Sequence, residues 1–331
     1  MLRVDVNADD LLHTRFALSP VFELNSLLRR LEAGNSPGWA AAHLDRLRPR
    51  FELLRRDTAL DAVLALKVPE SGANFVAPPP RTAAQTFDDD LAAIRATPAA
   101  DARAEIDFYL GRRPTLPERV RRILTDRAAV TLLAEAIEAA WTELLADDWP
   151  RVRTVCERDV VHRTDRLSRS GWASALAGLA PQVRWNNSGI ELPGFIGRDG
   201  TVSPGGAGVL FIPSVFIWPD VAAHLDDPTP KTVIYPARGA ATFFSTPEAL
   251  VPDALAALIG RSRARLLLAL ATPATTTQLG HGLDLPLGTI SDHLSVLRRA
   301  ALVRRTRVGR GVRYERTPLG ESLASLGDEP E

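Results

Sequence analysis

Cysteine occurs once in this chain, at Cys156, and lysine only at Lys67 and Lys231. A single thiol excludes an intramolecular disulfide and a thiolate metal cluster within one chain. Cys156 itself, in TVCERDV, reads as a buried small residue. The six histidines are scattered, with no His-x-x-x-His pair, so no metal site is expected. Long apolar runs are missing as well. The longest, 208–218, is too short to span a membrane and contains Pro213. The start, MLRVDVNADD, lacks the basic segment and apolar core of a signal peptide. These absences predict a cytoplasmic protein without a membrane partner. Net charge is absent too, with 40 basic residues against 40 acidic ones. Only the distribution of charge can then speak for a nucleic-acid partner. The glycine-rich run SPGGAGV (203–209) lacks the lysine of a phosphate loop and reads as a hairpin turn. GWASAL and GHGLDL contain no nucleophile elbow. No pair of residues reads as catalytic, so neither an enzyme nor a cofactor is expected.

What is present describes a packed chain of at least two domains. Its 331 residues are 45% apolar and 24% charged. Residues 11–68 read as helical, with a stop at Gly34 and a break at Pro49. A proline-rich connector, VAPPPR, follows at 76–81. Residues 87–94 start another helix. A long amphipathic helix is expected over 116–146 and further helix over 150–179. The pattern changes at 181–245. VRWNNSGIEL, GVLFIPSVFIW and KTVIYPA alternate with glycine, proline and Asn-Asn, as in a small antiparallel meander. Helix resumes from 252. The expected fold is α+β: mainly α with a small antiparallel β segment, then a separate C-terminal unit. The boundaries read as 1–180 for the α-helical region, 181–248 for the β segment, 252–326 for the C-terminal unit and 327–331 for an acidic tail.

The C-terminal part carries the informative motif. Ser262 can cap a short helix over 263–271, and Thr275–Thr277 can start the next. Asp284 sits where the chain turns sharply. Pro286 suits the entry to a helix over 287–300. Along that helix Ile290, Leu294, Leu297 and Ala301 form one apolar stripe. Gly288, Ser291, Asp292, Ser295 and Arg299 form a small, polar face opposite. A recognition helix needs such a face, because bases must approach its backbone in the major groove. Thr289, Ser291 and Asp292 offer hydrogen-bonding groups near its start. Asp292 can accept from a cytosine amino group or, alternatively, hold Arg299 or a wing arginine in place. Thr276, Thr277, Gln278 and Leu287 complete the part of the motif expected at DNA.

LVRRTRVGRGVRYER (302–316) follows, two β-like runs around a glycine-rich basic tip. Residues 261–317 hold 11 arginines against Asp284, Asp292 and Glu315, so 11 − 3 = +8 in a chain of zero net charge. That concentration is the footprint of a phosphate-binding surface. Arg305, Arg307, Arg310 and Arg313 are its candidate phosphate contacts. Strand alternation cannot aim all the wing arginines one way.

On LIGRSRARLLLALA, TTTQLGHGLDL, LGTISDHLSVLRRAALV and VGRGVRY, residues 252–326 resemble the winged-helix domain of ArsR-type bacterial repressors. The resemblance implies a homodimer on a double-stranded DNA operator, released by an effector, with pairing helices at 252–259 and 318–326. Members that sense metals carry paired cysteines on the helix matching 276–282, and this chain has none there. Asp292 stands where histidine is common. On FALSPVFELNSLLRRL and the β segment, the front part resembles an uncharacterised module found fused to ArsR-type domains.

Trp185, Phe211, Phe216, Trp218 and Tyr235 cluster in the β segment. They read as the core of a small sheet or as the lining of an apolar effector pocket. The expected function is a dimeric transcriptional regulator, a repressor sensing a small molecule or partner. Two other classes are an adaptor whose winged helix binds no DNA and an enzyme fused to a DNA-binding head.

Overall fold

A computed structural model describes residues 2–34, 38–68, 71–83, 85–113, 115–180, 183–186, 189–192, 200–218, 220–225, 230–244, 253–270, 273–283, 285–308 and 311–325. Asp284, Arg310 and the tail 327–331 lie outside them.

The chain opens with strand β1 (Leu2–Asp5), helix α1 (Ala8–His13) and strand β2 (Arg15–Phe16). Continuous helix is expected from residue 11 onward, but α1 ends at His13. There the Thr14 hydroxyl donates to the Asp10 carbonyl, and Phe16 turns onto Phe211, Trp172 and Tyr235. Next come α2 (Pro20–Ala33), α3 (Gly38–Asp57) and α4 (Leu60–Ala65). Ser19 caps α2, and Gly34, in the left-handed conformation at φ 69, ends it. The break expected at Pro49 does not occur: α3 runs through it. Its buried face of Leu44, Leu47, Phe51 and Leu54 continues across the proline, so packing outweighs one lost backbone bond.

A two-stranded hairpin, β3 (Lys67–Val68) with β4 (Ser71–Gly72), precedes α5 (Phe87–Arg95) and α6 (Ala99–Arg112). The long helix expected over 116–146 is two helices, α7 (Glu118–Thr125) and α8 (Ala129–Leu144). Asp126 divides them. Its carboxylate accepts from the Ala128 N–H at 2.8 Å, and Arg103 covers the Leu124, Thr125 and Asp126 carbonyls. Then α9 (Trp149–Leu176) is kinked at Gly171, φ 73.

The β segment supplies β5 (Arg184–Asn186), β6 (Gly189–Leu192), β7 (Gly200–Val202), β8 (Val209–Ser214), β9 (Ala222–His224) and β10 (Lys231–Pro236). They form two four-stranded sheets with the first two strands, in the orders β5-β6-β1-β7 and β2-β8-β10-β9. The β5–β6, β6–β1 and β9–β10 pairs are antiparallel. The meander expected here also contains parallel pairs, β1–β7, β2–β8 and β8–β10. Both β8 and β10 are buried at every position, as parallel strands covered on both faces are. SPGGAGV is not a hairpin turn. It crosses from one sheet to the other around the end of α1. The Gly206 N–H donates to the Asp10 carboxylate at 2.7 Å and the Val209 N–H to the Thr14 hydroxyl at 3.1 Å. A Cβ at Gly208 (φ 74) would lie 2.5 Å from the His13 and Thr14 backbone, so only glycine fits.

The rest is α10 (Ala240–Phe244), α11 (Asp253–Ile259), α12 (Arg261–Ala269), α13 (Thr276–Leu283), α14 (Leu287–Arg299), β11 (Val303–Val308), β12 (Gly311–Arg316) and α15 (Pro318–Ser325). Helix α12 starts at Arg261 behind Gly260, not behind a Ser262 cap. The architecture is α+β: an α-rich N-terminal body, then helices with a two-stranded antiparallel wing. One apolar core runs from α2–α4 and α8 through Phe216 and Trp218 into α12–α14, and a second fills the space around Leu2, Val4, Phe211 and Tyr235.

Candidate nucleic-acid interface

Helix α13 begins with a reciprocal cap. The Thr275 hydroxyl accepts from the Gln278 N–H at 3.2 Å, and the Gln278 carboxamide accepts from the Thr275 N–H at 2.7 Å. Gln278 is therefore 7% exposed; its side chain closes the helix start instead of facing outward. Thr-x-x-Gln is the signal for this in the sequence. Thr276 and Thr277 are half-buried. The turn after α13 is tight. A Cβ on Gly280 would lie 2.9 Å from the Leu287 side chain and 3.3 Å from the Leu285 carbonyl, so this glycine lets α14 approach.

On α14, Ile290, Leu294 and Leu297 are fully buried. Ala301 is not part of that stripe. It is exposed, at φ 55, just past the end of the helix, where the Leu302 N–H returns to the Leu297 carbonyl at 2.9 Å. Gly288, Ser291, Asp292, Ser295 and Arg299 are exposed together, with Thr289 half-buried beside them. Leu287, at the start of the helix, is 51% exposed. A Cβ added at Gly288 would meet no heavy atom within 4 Å, so the fold itself does not require glycine there. Asp292 makes no ion pair with Arg299 or a wing arginine among the described residues.

The wing register pairs Arg305 with Tyr314 and Arg307 with Val312, on the face that carries Val303 and Arg316. Arg304, Thr306, Arg313 and Glu315 occupy the other face. Val303 is buried, and Arg316 reaches inward to the Leu267 and Leu268 carbonyls at 2.8 and 2.7 Å. Tyr314 is bonded through its backbone to Ala274, ahead of α13, at 2.8 and 3.0 Å. The wing is thus fixed to the helix pair. Arg304 is held by Glu315 at 2.8 Å, and that carboxylate is kept below its usual range by bonds from Thr306 and Arg304. Arg305, Arg307 and Arg313 are exposed and have no hydrogen bond or ion pair from their side chains among the described residues. The same holds for Arg298 and Arg299 at the end of α14. Arg310 lies outside the described residues.

The head is docked on the body by α13. The indole N–H of buried Trp218 donates to the Gln278 carbonyl at 3.2 Å. The segment bearing Trp218 is gripped by α2. The Glu23 carboxylate accepts from the Val215 and Phe216 N–H groups at 2.8 and 3.0 Å, and Arg30 donates to the Phe216 and Ile217 carbonyls at 3.0 and 2.8 Å. Burial raises the Glu23 pKa to about 7 against these bonds. The outer face of α14 stays uncovered by the body.

Of the two readings of the five aromatics, sheet core or pocket lining, core describes four. Phe211, Phe216, Trp218 and Tyr235 are each at most 3% exposed, and Trp185 packs at the edge of the smaller core. None of them lines the cavity found in the body. Tyr235 donates to buried Asp159 at 2.6 Å, beside Arg163. Cys156 is buried against the Pro213 carbonyl, with its thiol pKa raised by burial. No helix of the described residues is long and apolar enough to cross a membrane.

Comparison with known proteins agrees with the two-part architecture. A helix-turn-helix domain model matches residues 258–306. That domain is consistent with a DNA-binding regulatory role and with DNA as a partner. No curated protein and no solved structure was matched. A second family model matches residues 39–241, more than half of the chain. The chain therefore belongs to the family of unknown function DUF5937, here carrying a helix-turn-helix domain behind it.

Proposed function

We propose that the chain is a sequence-specific transcriptional regulator of ArsR type, a homodimeric repressor whose N-terminal body senses a small molecule and performs no catalysis. The observation that carries this is the pairing of a small, uncovered face on α14 with unpartnered wing arginines beside it. Small residues let bases approach, and free guanidinium groups meet phosphates. Asp292, unpaired within the described chain, is available to a cytosine amino group. Two exposed leucines support the dimer: Leu258 on α11 and Leu319 on α15, at 68% and 56% exposure, sit on the flanking helices where such dimers pair.

The test is fluorescence anisotropy of the purified chain with a duplex from upstream of its own gene and a scrambled duplex, at several salt concentrations. Preference for the upstream duplex is expected. Removing Arg305 and Arg307 together should weaken binding to every duplex and reduce the salt slope by about two units. Binding that ignores salt and sequence alike would contradict the reading and favour an adaptor.

A further inference from the structure

Helix α2, the end of α4, the β3–β4 hairpin and β9 enclose a cavity of about 380 Å³, within the size range of small-molecule sites. Its lining is mixed: Phe22, Leu66, Val76 and Ile217 are among the apolar side chains, and Asn25, Ser26 and His224 among the polar ones. Three cations, Arg29, Lys67 and Arg113, line it with one carboxylate, Glu32. Glu32 is taken by Lys67 at 2.8 Å. Arg29 and Arg113 then have no side-chain hydrogen bond or ion pair among the described residues. The Lys67 ammonium is held below its usual pKa, chiefly by burial, and the two arginines push it the same way while Glu32 opposes them. The cavity thus carries three positive groups against one negative, in a chain of zero formal net charge. Arg29 is exposed and Arg113 half-buried. Two unpaired guanidinium groups lining one cavity beside apolar side chains offer an anion site.

We propose that this cavity binds a small amphipathic organic acid, its anionic group on Arg29 and Arg113 and its apolar body against Phe22, Leu66, Val76 and Ile217. The regulatory meaning rests on the sensor reading above. Ile217 precedes Trp218, the residue bonded to α13, so an occupant touches the segment that holds the head. Binding itself is independent of DNA and is tested without it.

The probe is 8-anilinonaphthalene-1-sulfonate, an aromatic anion whose fluorescence rises in apolar sites, titrated into the full chain. The neutral N-phenyl-1-naphthylamine serves as its uncharged counterpart and decanoate as a competitor. One saturable site is expected, displaced by decanoate and preferring the anionic probe by roughly tenfold. Arg29→Ala with Arg113→Ala should weaken the anion by roughly tenfold or more, and Arg127→Ala, on an exposed turn outside the cavity lining, should not. Should the double alanine variant fail to fold, Arg29→Lys with Arg113→Lys keeps the charge, loses the fork geometry and should give a smaller loss. Equal binding of both probes, no saturable site, or an anion affinity unmoved in a folded double variant would overturn the proposal. A chain that binds the anion as expected but no DNA would support the cavity and sink the regulator reading.

Discussion

Arg30 and Arg163 in the body and Arg305 and Arg307 in the wing carry the same charge in opposite circumstances. Arg30 is bonded to two carbonyls and Asp220. Arg163 is fully buried on Asp159 and the Ala175 carbonyl. A buried guanidinium must be satisfied in this way or it destabilises the fold. Arg305 and Arg307 are exposed and unpartnered among the described residues. Their charge contributes little to the fold and is free for an outside anion. Arg30 and Arg163 therefore hold the body together, whereas Arg305 and Arg307 are presented outward. The two are joined through one shared core and the Trp218–Gln278 bond.

Trp218→Ala should break this arrangement most severely. It empties a buried indole site and removes the bond to the Gln278 carbonyl, which predicts a loss of about 3–5 kcal/mol. Calorimetry should show the head melting apart from the body; an unchanged single transition would mean that docking there is not structural. Glu23→Gln sharpens the body side. The folded carboxyl sits at about 7 against 4.5 unfolded, so the folded state holds the proton more tightly. Its stabilisation is complete below about pH 4.5 and is lost as pH rises through 7. The shift corresponds to about 3 kcal/mol. The difference in urea-unfolding stability between wild type and Glu23→Gln should follow that curve, since the carboxamide oxygen still accepts from Val215 and Phe216. Asp90, raised to about 6 by burial, leaves a residual slope of the same sign in both proteins. A pH-independent difference would remove Glu23 as its source.

Gly320→Ala acts on the head alone. Its Cβ would lie 1.9 Å from the Leu302 carbonyl oxygen, so α15 must shift, at about 1–3 kcal/mol. Ultracentrifugation and urea unfolding should show weaker dimers and a less stable head; retention of both would place α15 outside the dimer contact. The smallest effect on stability belongs to Gly288→Ala. It should raise stability by up to about 1 kcal/mol, because nothing in the chain fills that space. It should also lower affinity for a specific duplex by roughly tenfold, about 1.4 kcal/mol, as the methyl meets DNA. Unchanged affinity in anisotropy would mean that bases do not come that close.

The helix pair and wing are legible in the sequence because their signals are local. Ile290, Leu294 and Leu297 keep helical spacing, and the two basic runs flank a glycine turn. Gln278 is misplaced by the same reading although Thr-x-x-Gln announces a cap, since an outward polar side chain and a capping one look alike without the backbone. Strands β1 and β2 have four and two residues, too short for a period to show. Their partners lie about 190 residues away, and only tertiary pairing defines them. The cavity is invisible for the same reason: Arg29, Lys67 and Arg113 come from three separate stretches of the chain. The aromatics draw attention because they are large, and being large they fill the core.

The most direct measurement is a random-sequence duplex selection with the wild-type chain and with a variant carrying Ser291→Ala and Asp292→Ala. If the outer face of α14 reads bases, wild type yields one motif with two related half-sites, and the variant yields a motif changed at the positions those residues contact. An identical motif from both proteins, or none from wild type, would contradict the claim that this face is the reading surface.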